Sequence, residues 1–251
     1  MALFTDGIIS TINDLQAYDS AVLEVAKTEG VDLSTKLTLA EQEIALELEL
    51  FLIRKAGGGG ASRVELEQVV ATAALKQWHR LRTLALVYGD VYNSQLNDRY
   101  GGKWREYVTL SKRAAELLFL TGVGIENDPV PRAKPPELTA IGGLLAAATY
   151  LVQVAWRNGS GETGAPSDVA VYTTSTNQRL VVQATETPAS VVSYDVYVGL
   201  SEGMITKQNT TPVGKDDVWT IPATGVVSGE APGSGQDPDY FLRLERVLQR
   251  G

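Results

Sequence analysis

Three kinds of residue in this chain could carry out chemistry: paired carboxylates, two serines in a glycine-rich stretch, and one histidine. Paired acids can act as general acid and general base when their surroundings separate their pKa values. Adjacent or near-adjacent acids in polar stretches are usually solvated charges, and we favour that interpretation for all three pairs. The pairs are Asp216-Asp217, Glu47-Glu49 and Asp237-Asp239.

The serines and the histidine lack the partners that catalysis would require. Ser160 and Ser167 lie in a glycine-rich stretch without the motif of a nucleophile elbow. His79 is the only histidine and the chain has no cysteine, so the common zinc ligand sets cannot form around it. We interpret His79 as an ordinary, partly exposed side chain. The sequence therefore predicts a protein that is not an enzyme and has no catalytic, cofactor-binding or metal-binding residues.

Four consecutive glycines, Gly57 to Gly60, raise the question of a phosphate-binding loop. Such a loop needs Lys followed by Ser or Thr directly after its last glycine, and Ala61-Ser62 stands there instead. Four glycines also lose too much backbone entropy on ordering to lie inside a helix or strand. The stretch is predicted to be a flexible loop.

Composition and charge exclude further classes of protein. The chain has 251 residues, of which 44% are hydrophobic and 21% charged, and this balance allows a buried core. The formal charge is −8 and no segment is basic, which disfavours nucleic-acid binding through phosphate neutralisation. The first fifteen residues lack the basic and apolar regions of a secretory signal, so synthesis into the cytoplasm is expected.

One uncharged stretch tests whether the chain enters a membrane. Residues 138–156 contain no charge and are long enough for a membrane helix. Glycines, threonines and a glutamine dilute the apolar character, and from Tyr150 onward apolar residues alternate with others. Alternation is typical of a strand, so we expect no membrane segment.

The first half of the chain is predicted to form three or four helices. Ser10 and Thr11 precede a helical pattern that Gly30 ends. The stretch Thr38 to Glu41 matches a capping box and predicts the start of a second helix, which ends near Lys55.

The strongest helical pattern follows a second capping-box match at residues 62–65 and runs to Leu96. It predicts a central helix of up to about 35 residues at about 1.5 Å each. Gly101-Gly102 is expected to end or bend this helix, and a last helix is predicted for residues 103–121. Long helices of this kind often pack beside copies of themselves.

In the second half of the chain, the spacing of the apolar residues changes from helical to alternating. Four prolines in residues 128–136 predict an extended linker and a domain boundary. Beyond them we expect seven short strands in a two-sheet sandwich, which makes the chain a two-domain α+β protein. The predicted strands are 143–147, 149–157, 168–173, 179–184, 192–199, 204–208 and 217–221. The predicted domains are 1–127 (helical), 128–138 (linker), 139–232 (β-sandwich) and 233–251 (C-terminal arm).

The C-terminal arm is a candidate for partner binding. Its apolar residues fall on one side of a short amphipathic segment. Two alternatives remain open: the segment is a helix that docks on its own subunit, or it orders on a partner protein. The candidate binding residues are Tyr240, Phe241, Leu244, Val247 and Leu248.

The β half carries a resemblance to a known module. The stretches TYLVQVAWRNGSGETGAPS (149–167), SYDVYVGLSEGMITKQN (193–209) and DVWTIPATGVVSGEAP (217–232) occur in this order. Together they are similar to the fibronectin type III-like modules of structural proteins in tailed bacteriophages. The resemblance implies an immunoglobulin-like β-sandwich, and it leaves open whether the module binds a glycan, a capsid or a neighbouring protein.

The helical half resembles a family by its architecture. Residues 75–79 (LKQWH) and 97–105 (NDRYGGKWR), set among helices with a long central one, look like the head-to-tail adaptor proteins of phage necks. This resemblance implies a ring, often a dodecamer, that binds the portal protein, contacts tail or neck proteins and extends the DNA channel without binding DNA specifically. It also implies a place in the virion neck after assembly in the cytoplasm of the bacterial host.

Two other functions remain open. The same β module occurs in other phage tail, baseplate and decoration proteins. A non-viral binding protein with an accessory fibronectin III-like module is the second alternative.

Overall fold

The structure is a computed structural model that describes residues 1–7, 9–56, 64–95 and 99–244. The glycine loop at 57–60, the capping-box residues Ser62 and Arg63, and Leu96, Val247 and Leu248 lie outside the described residues. The chain forms two compact units. The helical unit contains residues 7–126 and 238–251, and the β unit contains residues 1–6 and 127–237. The protein is therefore α+β, with helices in the N-terminal part and antiparallel sheets in the C-terminal part.

The helical unit contains five α-helices and two short strands in the part of it that the structure describes. The helices are α1 (Ile12–Tyr18), α2 (Val22–Glu29), α3 (Leu33–Ala56), α4 (Ala73–Gln95) and α5 (Gly101–Thr121). The strands β1 (Val123–Ile125) and β10 (Tyr240–Leu242) pair in antiparallel fashion. Ten strands in all are present in the described chain, and the other eight belong to the β unit.

The first predicted helix is two helices. Thr11 caps α1 as predicted, in a reciprocal capping box with Asp14, and Gly30 ends α2 with φ of +71°. A single helix from residue 10 to residue 30 was wrong because Asp19 is extended and its carboxylate accepts a hydrogen bond from the Ala21 N–H. The break lets α2 change direction.

The second helix begins earlier than the sequence predicts. Residues 38–41 lie inside α3, so the capping box at Thr38 was wrong. Asp32 lies at the start instead, and its carboxylate accepts a hydrogen bond from the Ser34 N–H at 2.9 Å. Asp and Thr are both favoured residues at the N-cap of a helix, so Asp32 and Thr38 are two possible starts for α3.

The central helix is shorter than predicted. It spans the 23 residues of α4, and the preceding residues form a short 3₁₀ turn (Leu66–Gln68) and an extended segment. Val69 forms an isolated antiparallel bridge with Ile125, and both side chains are fully buried. Val69 and Val70, which continue the helical spacing upstream of α4, are buried because their segment pairs with β1. The last predicted helix is α5, which starts two residues early, at Gly101.

The core of the helical unit is built around α4, which packs mainly against α3 and α5. Trp78 meets Phe119 of α5 edge-to-face at 5.7 Å, and Phe119 in turn contacts Phe51 of α3 at 4.9 Å between ring centroids. The large apolar side chains of α4 that are buried are Leu75, Trp78, Leu81, Leu84, Val87, Tyr88 and Val91, and His79, Thr83 and Ala85 of the same helix are buried as well.

The β unit has two antiparallel sheets. Its strands are β2 (Glu137–Gly142), β3 (Ala148–Arg157), β4 (Ala170–Thr174), β5 (Gln178–Gln183), β6 (Ser193–Gly199), β7 (Thr206–Lys207), β8 (Val213–Gly214) and β9 (Val218–Thr220). One sheet has the order β2-β5-β9, and the other has the order β4-β3-β6-β7, with β8 also paired to β6. The predicted strand at 143–147 was wrong, since the strand before β3 is β2 and it ends at Gly142-Gly143.

Alternating residues of β3, β5 and β6 fill the space between the sheets, as their period predicts. The largest buried members of this core are Trp156 and Tyr194. The others are Tyr150, Val152, Val154, Leu180, Val182, Val191, Val196, Val198 and Ile221. The uncharged stretch 138–156 forms β2 and β3, and the described residues contain no helix long and apolar enough to span a bilayer.

The proline-rich stretch is part of the β unit. Val130 and Ala133 are buried in its core, and the Ala133 N–H donates to the Ala165 carbonyl at 3.1 Å. Arg132 N–H donates to the Asp6 carboxylate at 2.6 Å, which ties the N-terminal residues to the same unit. The stretch is extended, as the prolines require, but its backbone and side chains are packed.

Candidate interaction surfaces

The serines considered as candidate catalytic residues form hydrogen bonds within the fold, and the side chains of the carboxylate pairs are exposed. Ser167 is fully buried, and its Oγ donates to the Asp168 carbonyl and accepts from the Val154 N–H. Ser160 Oγ donates to the Asp128 carboxylate at 3.2 Å. All six side chains of the three carboxylate pairs are exposed.

His79 is buried, with 1% of its surface exposed, so the interpretation as a partly exposed side chain was wrong. Its Nε2 lies 3.1 Å from the Leu37 carbonyl oxygen. Burial lowers the pKa of His79 below its usual value of 6.5, because the cation would lose its hydration, and the bond to Leu37 only partly offsets this.

We predict that His79 stays neutral to a lower pH in the folded protein than in the unfolded chain. Because unfolded chains bind the proton at a higher pH than the folded chain, this residue reduces stability as pH falls below about 6.5. The chain has one histidine, so a ¹³C–¹H titration of its ring reports on His79 alone. The same titration in urea should give an ordinary value, and equal midpoints in the two conditions would contradict the prediction.

A buried carboxylate joins three helices of the helical unit. Asp19, in the turn between α1 and α2, accepts hydrogen bonds from Tyr88 Oη on α4 at 2.7 Å and from Tyr107 Oη on α5 at 2.9 Å. Lys103 Nζ lies 2.7 Å from the same oxygen. Burial alone would raise the pKa of Asp19, but the bonds from Lys103 and the two tyrosines outweigh it and hold that pKa below its usual value. This network positions the short helices on α4 and α5.

The β unit contains a second buried carboxylate. Asp195 on β6 is 2.8 Å from Lys207 Nζ, 3.0 Å from Arg157 Nη1 and 2.8 Å from Asn209 Nδ2. Burial would raise its pKa, but the bonds from Lys207, Asn209 and Arg157 together lower it. The side chains of both cations are largely buried as well. The cluster cross-links β3, β6 and β7.

The outer side of α3 is an apolar surface. Four side chains follow one another at helical spacing and are at least 40% exposed; we call them the outer stripe, and they are Leu39, Leu46, Leu50 and Ile53. At 100° per residue they fall within about 60° of arc. The buried residues Ala40, Ile44, Leu48 and Phe51 lie on the opposite side of the helix. The helix is therefore apolar on two faces, of which only one packs in the chain's own core.

The C-terminal segment is a strand in its described part. Residues 240–242 pair with β1, so the amphipathic helix expected for the arm was wrong there. Pro238 has no N–H for a helical bond, and the Asp239 N–H donates to the Ile125 carbonyl, which keeps the chain extended. Gly122, with φ of +120°, allows the close approach of Phe241 to the backbone.

The backbone of the arm is hydrogen-bonded to β1 and α5, but the side chains of its described candidate residues remain exposed. Tyr240, Phe241 and Leu244 are 36–47% exposed, and the Leu244 N–H donates to the Phe119 carbonyl at 2.9 Å. Leu117 and Leu120, which flank Phe119 in α5, are also exposed. We call these five side chains the C-terminal patch; Tyr240 and Phe241 are consecutive residues of β10, so they point to opposite faces of the strand. The sequence analysis proposed the arm residues for partner binding and did not single out Leu117 and Leu120, because apolar residues at helical spacing do not show which of them remain exposed.

The β unit has its own exposed apolar side chains around a turn. Leu200 and Met204 are 58% and 68% exposed, in the loop between β6 and β7. They line a shallow cavity together with Val226 and Val227. This loop lies inside one of the three stretches that resemble phage modules. Exposed methionine and leucine side chains are adaptable contact groups for another protein.

Comparison with other proteins identifies no relative: no family model, curated protein or solved structure matches this chain.

Proposed function

We propose that this chain is a non-enzymatic structural protein of a phage virion, a ring-forming adaptor that joins the portal to the tail. The outer stripe of α3 is the observation that carries the proposal. A helix that is apolar on two faces is normally buried on both. One face of α3 packs against α4, and the other suits a neighbouring copy of the chain.

The dimensions of α3 fit a contact between subunits. The helix has 24 residues, which makes it about 36 Å long. The outer stripe covers fourteen residue steps, about 21 Å, and has acidic side chains beside it at Glu43 and Glu47 and a basic one at Arg54. A contact that joins this face to a different face of the next copy, and closes on itself, produces a ring.

The C-terminal patch is the proposed contact with the portal protein. Strand β10 pairs with β1 through one edge, and its exposed side chains Tyr240 and Phe241 are aromatic. Aromatic side chains on a docked backbone offer contact area at a small entropic cost. Addition of a strand from a partner to the second edge of β10 would extend this small sheet.

The β unit is proposed to be a fibronectin type III-like module that contacts tail or neck proteins. In support, two of the three resembling stretches begin with β3 and β6, which are central strands of one sheet, and the third contains β9. The exposed loop at Leu200 and Met204 offers the contact surface.

An acidic subunit suits a channel through which DNA must slide. The net charge of −8 gives the chain no excess of cations with which to hold phosphates. We propose that DNA passes through the ring without specific binding, and that the ring assembles in the cytoplasm of the bacterial host.

Native mass spectrometry of the chain, alone and with portal protein, tests this function. We expect either a closed ring of the chain alone or a monomer that assembles on the portal. In the double variant Leu46→Ser, Leu50→Ser we expect a folded chain whose assembly is lost, because polar side chains at the centre of the stripe remove most of its apolar area. Circular dichroism checks that the variant is folded.

The matched control is Leu144→Ser in the β unit, where the side chain is 88% exposed and outside the three proposed contact surfaces. This variant should assemble like the unchanged chain. A monomer that does not bind portal would contradict the adaptor role. Assembly unaffected by the double variant would show that α3 is not the contact surface.

A second candidate function is a tail, baseplate or decoration protein that acts through the β unit alone. The exposed Leu200 and Met204 favour it, because they could bind another protein without any ring. It predicts binding to tail or capsid proteins that Leu200→Ser, Met204→Ser abolishes and the α3 variants leave unchanged.

A further inference from the structure

A cavity of about 400 Å³ lies in the helical unit, between the start of α1, the first turns of α3 and the buried side of α4. Its surface is mostly apolar. Ile9, Ile12 and Leu37 supply apolar groups, and Glu41 and His79 supply the two groups that can take a proton. The size is sufficient for a molecule of about ten heavy atoms.

The protonation of His79 follows from its neighbour. A carbonyl oxygen only accepts hydrogen bonds, so the Nε2 that lies 3.1 Å from the Leu37 oxygen must carry the proton. In the neutral ring the other nitrogen, Nδ1, then has a lone pair. That atom is buried and has no hydrogen-bond donor among the described residues. Buried acceptors without a donor are uncommon, and each one destabilises the protein.

Glu41 is an acceptor that lies on the cavity itself. It lies on α3, it is partly buried, and within the described residues it forms no hydrogen bond or ion pair. Burial raises the pKa of this carboxyl above its usual value, because the carboxylate has lost part of its hydration. A cation beside it would restore the lost stabilisation of the charge.

We propose that this cavity binds a small molecule with an apolar body and a protonated amine. An ammonium group has three N–H donors and a positive charge, which suit the Glu41 carboxylate, whereas the buried Nδ1 of His79 is out of reach of a molecule in the cavity. The apolar body would cover the isoleucine and leucine side chains of the lining. An anionic molecule of the same shape would be repelled by Glu41. This inference is independent of the proposed adaptor function.

The single histidine gives a direct test that needs no substitution. The chain is labelled with ¹⁵N-histidine and titrated with phenethylamine, with phenylacetate and with 2-phenylethanol. These probes share the phenyl ring and differ in the charge of the end group. We expect phenethylamine to shift the Nδ1 resonance, because the ring of His79 lines the cavity, with a Kd of about millimolar for so few atoms. Phenylacetate should leave the resonance unchanged.

The variant Glu41→Gln tests the charge. It should weaken phenethylamine binding about tenfold and change binding of the neutral alcohol by less than about twofold. The matched control is Glu49→Gln, an exposed acid on the same helix that does not line the cavity, and it should bind like the unchanged chain. Amine binding that is equally tight in Glu41→Gln, or phenylacetate binding as strong as that of the amine, would overturn the proposal. So would the absence of any Nδ1 shift up to about 10 mM amine.

Discussion

Replacing Asp19 with alanine is expected to lower the free energy of unfolding of the helical unit by about 3–5 kcal/mol. The change leaves the hydroxyl groups of Tyr88 and Tyr107 without their acceptor, and Lys103 without its counter-ion. Buried donors that lose an acceptor have a large desolvation penalty. Urea unfolding followed by circular dichroism at 222 nm measures the loss, since the helices dominate that signal.

Asp90→Ala is the matched control for this prediction. Asp90 is half-exposed and forms an ion pair with Lys36 at 2.7 Å on the surface of the same unit. Such pairs contribute about 1 kcal/mol or less. A loss at Asp19 no larger than the loss at Asp90 would show that the buried network does not hold the helices together.

The second large effect is expected in the β unit. Asp195→Ala should destabilise that unit by about 3–5 kcal/mol, because Arg157 and Lys207 would then face each other as partly buried like charges. Urea unfolding followed through amide NMR signals of β3 and β6 measures it. The matched control is Asp168→Ala, whose side chain is 76% exposed in its pair with Arg132, and which should cost about 1 kcal/mol or less.

The Asp195 cluster also predicts a dependence on pH. Its folded pKa lies below the usual 3.8, so the unfolded chain takes up the proton first as pH falls. The stabilisation is therefore complete above about pH 5 and is lost as pH falls through 4 and below. In Asp195→Ala this contribution is absent, and the stability of the β unit should fall less steeply with acid. An identical pH profile in the two proteins would contradict the assignment.

Local signals in the sequence predicted the elements that depend on local interactions. The Thr11 cap, the glycine at the end of α2 and the span of α5 each follow from hydrogen bonds within a few residues. The strands β3 and β6 were recognisable because alternation directly reflects one buried face. The outer stripe of α3 is also readable from spacing, but spacing alone does not say which of two apolar faces remains exposed.

Elements that depend on distant partners could not be predicted. The start of α4 is set by the bridge of Val69 to Ile125, more than fifty residues away. The strand β10 exists because β1 offers it an edge, whereas the spacing of its side chains suits a helix equally well. The networks at Asp19 and Asp195 likewise join residues that are far apart in sequence, and no local pattern marks an acid as the centre of such a network.

The N-terminal residues belong to the β unit and strand β10 belongs to the helical unit, and this has a consequence for the order of folding during synthesis. Residues 1–6 are synthesised before the helices but belong to the unit formed by residues 127–237, while β10 is synthesised after that unit and completes the unit formed by residues 7–126. Since β1 pairs with β10, the helices cannot finish their small sheet until residues 240–242 have been synthesised. A nascent chain stalled before residue 238 would therefore present an unpaired β1 edge, and truncated products are expected to aggregate through it.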